Sequence, residues 1–161
     1  MSTTMPQVDS GSPGSALEVL RGDHQQIGHL LNQYDLIKRN SDSSADRQGL
    51  IARMGALINA LHGVKEQIIY PLLKEVAPHG LLKSVQEDHR LLCQQLQLVA
   101  AKGAKDQAVD TEVEKLAGLL RAYFAMEEKK LFPLLINFDS PELGQQVAVH
   151  RSMELGDQGA D

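Results

Sequence analysis

Three histidines and two glutamates stand where a helical chain ordinarily keeps aliphatic side chains. Between Ser15 and Asn137 the apolar residues recur at spacings of three and four, the period of one face of an α-helix. Four seams follow. The first reads Leu17, Leu20, His24, Ile27, Leu31, and the second Ile51, Met54, Ile58, His62, Glu66, Ile69, Leu73. The third reads Leu82, Val85, His89, Leu92, Leu96, Val99, and the fourth Val113, Ala117, Leu120, Phe124, Glu128, Leu131, Leu135. An inward polar group without a partner costs roughly 1–3 kcal/mol, and an unpaired charge more. His24, His62, Glu66, His89 and Glu128 therefore need compensation. Imidazoles and carboxylates converging inside a bundle are ligands for iron or manganese, and carboxylates can bridge two metals. His62 and Glu66, at i and i+4, aim at one centre.

The elements that must position these residues are helices broken near "NSDSSAD", "APHG", "AKGAKDQ" and "DSPE". The pattern predicts four long helices and a short fifth, an all-α fold. Ser15 is placed to cap the first helix, Asp42 or Ser44 the second, and Asp110 or Thr111 the fourth. Ser140 followed by Pro141 reads as N-cap and first residue of the last. Short connections make successive helices antiparallel neighbours, an up-down-up-down bundle. Folding back at each break brings the five polar residues into one layer. The expected organisation is a disordered tail over residues 1–14, the bundle over 15–138, and a short C-terminal helix and tail over 139–161.

Composition narrows the function classes. Aromatic residues make up 4% and Trp is absent, so the core must be aliphatic, as in helix bundles. The net charge is -5 and no stretch clusters Lys and Arg with interleaved aromatics, which argues against nucleic acid as a partner. No apolar run approaches the ~20 residues of a membrane span, and "MSTTMPQVDSGSPGS" lacks the apolar region of a signal peptide. A cytoplasmic location is expected. The single Cys93 excludes an internal disulfide and agrees with a reducing compartment. The Glu-x-x-His pairs of ferritin-like two-metal bundles do not occur here.

A repeat runs through the site: "HGVKEQIIYPLL" from His62 and "FAMEEKKLFPLL" from Phe124 share a Glu five residues before Pro, an aromatic just before it, and Pro-Leu-Leu. With "GDHQQI" and "EDHRLL", these segments resemble the hemerythrin-like (HHE cation-binding) family, over roughly Leu17 to Leu135. The resemblance implies a four-helix bundle holding a non-haem di-iron centre. It assigns His24 and His62 to one iron and His89 to the other, with Glu66 and Glu128 as bridges. Phe124 stands where the family has the last His, so the second iron should be weakened and the chain should hold one or two Fe. The implied roles are binding or sensing of O2, NO or peroxide, or iron handling. Binding or sensing is expected ahead of enzymatic turnover, since nothing resembles a substrate pocket. The alternative is a helical interaction or regulatory protein with a degenerate metal site.

Neighbouring residues carry lesser expectations. Glu127 could replace Glu128 after a small helix rotation, but reads as a solvated helix-end charge. Cys93, one turn after His89, could complete the second iron but reads as a buried inert thiol. Tyr70 reads as packing, and His150 and Glu154 as surface residues. His29 points roughly 140° away from His24, and His79 lies in a turn. Pro71 and Pro133 should kink or loosen their helices just past the Glu residues.

Overall fold

Ser15 opens α1 (Ala16–Ile37) with a capping box: its hydroxyl accepts from the Glu18 N–H and its own N–H donates to the Glu18 carboxylate, both at 3.2 Å. The next two amides of that turn, Ala16 and Leu17, donate to the Asp139 carboxylate at 2.8 and 3.1 Å. An anion far along the chain thus covers the positive end of the helix. The computed structural model describes residues 14–38, 44–103 and 106–159, without the side chains of 157–159. The Asp42 cap and the expected tail, up to residue 13, lie outside the described residues.

α2 (Ser44–Val64) runs into a π-helical turn, π1 (Lys65–Ile69), and then the short α3 (Tyr70–Leu73). α4 (Leu81–Lys102) follows Gly80, whose φ of 84° is a left-handed conformation that favours glycine. α5 (Ala108–Met126) repeats the α2 pattern, passing into π2 (Glu127–Leu131) and α6 (Phe132–Leu135). A 3-10 turn (Ile136–Phe138) leads to α7 (Pro141–Gly159). All of these are helical, and no strand occurs among the described residues. α5 starts earlier than Asp110 or Thr111: Asp106 accepts from the Ala108 N–H at 2.9 Å, and Asp110 instead takes the Tyr34 hydroxyl at 2.6 Å.

Side-chain pairs give the running directions. Tyr34 meets Asp110 while His24 meets Glu127, so α1 and α5 are antiparallel. Gln95 meets Glu112 while His89 meets Tyr123, so α4 and α5 are antiparallel as well. These directions are consistent with an up-down-up-down bundle. The core is aliphatic, with Leu20, Ile27, Met54, Leu61, Leu92, Leu116, Leu120 and Leu131 buried.

The fifth helix is not short. α7 spans 19 residues and packs along both α1 and α2. Its Ser140 cap is as expected, the hydroxyl accepting from the Leu143 N–H at 3.0 Å. Gly144 lies so close to the backbone of Gly14 and Ser15 that a Cβ would have no space. The main polar anchor is Asp23 on α1, 3% exposed, which takes both Arg151 Nε and Nη2 at 2.7–2.8 Å. Arg151→Ala would leave that carboxylate buried and unpaired, at a cost of about 2–3 kcal/mol. A melting temperature lower by about 5–10 °C is expected, with amide exchange over 141–156 accelerating most. Unchanged exchange on α7 would show that apolar packing alone holds it.

Candidate metal centre

The two π turns decide which side chains face the bundle axis. In each, the backbone closes over five residues: Tyr70 N–H reaches Lys65 O, and Phe132 N–H reaches Glu127 O. Each widened turn abuts an aromatic-Pro pair, Tyr70-Pro71 and Phe132-Pro133. A proline ring clashes with the carbonyl four residues back and offers no N–H, and one extra residue in the turn relieves this. Tracing back from Leu73 and Ile69 at the α period leads to Glu66. With one more residue absorbed, the inward position passes to Lys65. On the other copy it passes from Glu128 to Glu127.

Glu127 is therefore the buried carboxylate, at 0% exposure, and Lys65 is 2% exposed. The Lys65 ammonium donates to Glu127 Oε1 at 2.9 Å and lies 2.7 Å from Oε2, the closer contact being the less well directed. His24 Nε2 donates to the same Oε1 at 2.9 Å. The ammonium also sits 4.9 Å over the Tyr123 ring, a cation–π contact, and the Tyr123 and Tyr70 hydroxyls pair at 3.0 Å. Burial by itself would raise the Glu127 pKa, but the Lys65 charge and then His24 outweigh it and hold the carboxyl below its usual range.

The imidazoles flank this pair. His24 stacks on Phe124 with centroids 3.8 Å apart. His62 and His89 stack on each other at 3.5 Å, and Cys93 Sγ lies 3.4 Å from His89 Nδ1. Burial, then the neighbouring His62 and Lys65, push the His89 pKa down to about 3, while burial lowers that of His62. Burial raises the Cys93 thiol. Both stacked imidazoles are thus neutral at pH 7. His62 Nδ1 is buried, and among the described residues nothing hydrogen-bonds to it.

The chain matches the family model "Hemerythrin HHE cation binding domain" over residues 15–135. It belongs to the hemerythrin HHE family. No curated protein and no solved structure matches it. Domains of the HHE family bind metal cations, typically iron.

Of the five residues singled out from the sequence, this HHE domain sets His24 against Glu127, stacks His62 on His89, keeps Glu66 part-exposed near His62, and turns Glu128 to the surface. Glu128 is at the surface, its side chain 45% exposed, paired with Arg21 at 2.9 and 3.1 Å. The expectation that Glu128 faces inward and Glu127 faces solvent is thereby reversed. Glu66 is part-exposed and near enough to raise the His62 pKa against the burial that lowers it. His150 and Glu154 pair with each other at 3.1 Å, and Glu154 packs against Gly63. Among the described residues no group of three or more His, Cys, Asp or Glu is gathered to hold a metal ion. With an ammonium on the buried carboxylate and Phe124 on the His24 ring, this packing does not fit a two-iron centre.

The sequence did carry a signal for the missed pair. Ile58, Leu61 and Lys65 continue one seam, and Leu116, Leu120, Tyr123 and Glu127 another, each at spacings of three and four. Both end one residue before the seam that the Pro-Leu-Leu segments imply.

Proposed function

We propose that this HHE-family chain is a metal-independent member in which an internal ion pair does the structural work of a metal, and that it serves as a helical regulatory or interaction module. The observation that supports this reading is the Lys65 ammonium lying 2.7–2.9 Å from both oxygens of a fully buried Glu127. Buried charges persist only when paired, and here each is the other's partner. Space agrees with charge. The void bounded by Ile27, Leu61, Lys65, His89, Tyr123 and Phe124 is about 10 Å³, at the limit for a single water and below what a diatomic ligand needs. No helix among the described residues is long and apolar enough to cross a membrane.

Metal analysis of freshly purified protein, with melting curves before and after chelation, tests the reading. The expected result is far less than one iron per chain and an unchanged melting temperature. A ligand bound only by the folded state must stabilise it by RT ln(1 + [L]/Kd), so a tightly held metal would declare itself in both measurements.

The second reading is a non-haem iron protein, with one or two Fe held by His24, His62, Glu66, His89 and Glu128, that binds or senses O2, NO or peroxide or handles iron. The unpartnered Nδ1 of His62 beside a neutral His89 favours it, because neutral imidazoles are the ligating form. It requires Glu66 and Glu128 to replace Lys65 and Glu127 at the centre. Stoichiometric iron that is lost in His62→Ala and Glu66→Ala proteins would establish it in place of the first.

A further inference from the structure

We infer that Lys65 is the residue that keeps divalent cations out of this centre, and that one carboxylate in its place would make the centre a divalent-cation site. The inference rests on the metal-independent reading above. It starts from the near-repeat: Lys65 and Glu127 are the first residues of π1 and π2, six positions before Pro71 and Pro133. The two copies present these positions to each other across the bundle, with 2.7–2.9 Å between ammonium and carboxylate.

Two of the donors a cation would need are already together. Glu127 supplies an anionic oxygen, and His24 Nε2 is 2.9 Å from it. The Lys65 charge acts on His62 and on His89, lowering the pKa of both after the larger effect of burial. Lys65 and His89 line the same small void and both lie against the Tyr123 ring, at 4.9 and 5.9 Å from its centre, with His62 stacked on His89. A divalent ion entering among these groups would meet a fixed positive charge, and would have to take from it the carboxylate it holds. Glutamate reverses that charge and adds an oxygen donor. Its side chain is about one bond shorter than lysine, but two metal–oxygen bonds of about 2.1 Å span more than the single N–H···O contact they replace. The result is a carboxylate–imidazole set suited to Fe2+ or Mn2+.

The test uses the full-length chain and Fe2+ under anaerobic conditions, with binding measured by titration calorimetry and folding by circular dichroism and melting. Lys65→Glu should bind Fe2+ at least about 100-fold more tightly than wild type, the scale on which metal sites respond to a changed partner. Fe2+ should raise its melting temperature and leave that of wild type unchanged. Lys65→Met, which removes the charge and adds no donor, should not bind tightly. If two facing carboxylates unfold the apo protein, Fe2+ should restore its helicity. Lys65→Gln, with an amide oxygen and no added charge, then provides a folded variant expected to gain about 10-fold. A folded Lys65→Glu protein that binds no better than wild type overturns the inference and leaves the metal-independent reading standing, as does one that stays unfolded with Fe2+ present while Lys65→Gln gains nothing. Wild-type protein that itself binds Fe2+ as tightly as the variant overturns both.

Discussion

Lys65→Met should lower the melting temperature by roughly 10 °C. The substitution keeps the volume and apolar stem of lysine and removes only the ammonium. Glu127 then stays fully buried with His24 as its remaining partner. Breaking a buried pair by removing one side typically costs about 3–5 kcal/mol, and for a chain of this size each kcal/mol is worth about 2–4 °C. Glu127→Met should cost a similar amount by stranding the ammonium among Tyr123, His89 and the aliphatic core. The double variant Lys65→Met/Glu127→Met should recover most of the loss, because a well-packed apolar pair replaces a buried ion pair at little or no cost. The coupling between the two positions is then several times that of an exposed pair such as Arg21–Glu128, for which less than about 1 kcal/mol is expected. Additive single effects, or a Lys65→Met protein as stable as wild type, would show that the pair does not hold the centre.

The parts of the molecule that were readable from residues alone are those in which the α period is unbroken. On α1 the seam of Leu17, Leu20, Ile27 and Leu31 is buried as expected, with His24 close to the axis. On α4, Val85, His89, Leu92 and Val99 are buried. Both helices run for 22 residues without interruption, so counting by threes and fours stays in phase. On α2 and α5 the same counting fails by one residue at the same place, because each π turn absorbs a residue that leaves no mark in the composition. The proline two positions after the last residue of each π turn is the local sign of strain in either copy.

The length of α7 was hidden for a different reason. Its apolar stripe is thin, with Leu143 and Val147 its buried members, and its docking depends on the Arg151–Asp23 pair. Hydrophobic periodicity cannot register a helix held by a buried polar contact. His24, His62 and His89 were recognisable as a group because three imidazoles on apolar seams are unusual. That a lysine shares their layer is marked only by the seam of Ile58, Leu61 and Lys65, and a lysine on such a seam near a helix end is ordinarily solvated.

Between pH 7 and pH 4.5 the fold should lose about 3 kcal/mol through His89 alone. Its pKa falls from the ordinary 6.5 to about 3 in the folded chain, first by burial and then by His62 and Lys65. From about pH 6.5 down to pH 3 the unfolded chain therefore carries one more proton at this position than the folded chain. Stability rises with pH across that window by about 1.4 kcal/mol per unit. The contribution is complete above pH 6.5 and is lost as the pH falls toward the folded value. His62, lowered by burial, acts with the same sign. Glu127 adds a further loss at lower pH, where its depressed folded pKa is reached. The upper part of this window lies above the ordinary carboxylate range, so a decline between pH 6.5 and 5 isolates the imidazoles. The stack also makes the two protons compete, since rings 3.5 Å apart cannot both become cationic without strong repulsion. Melting temperature measured at half-unit steps should fall by about 6–12 °C from pH 7 to pH 4.5. His89→Gln should flatten that slope by about one proton whatever it does to stability at pH 7, because the amide does not titrate. A wild-type curve that is level down to pH 5, or a His89→Gln curve parallel to it, would mean that His89 is already protonated or solvated and that the stacked pair is not neutral.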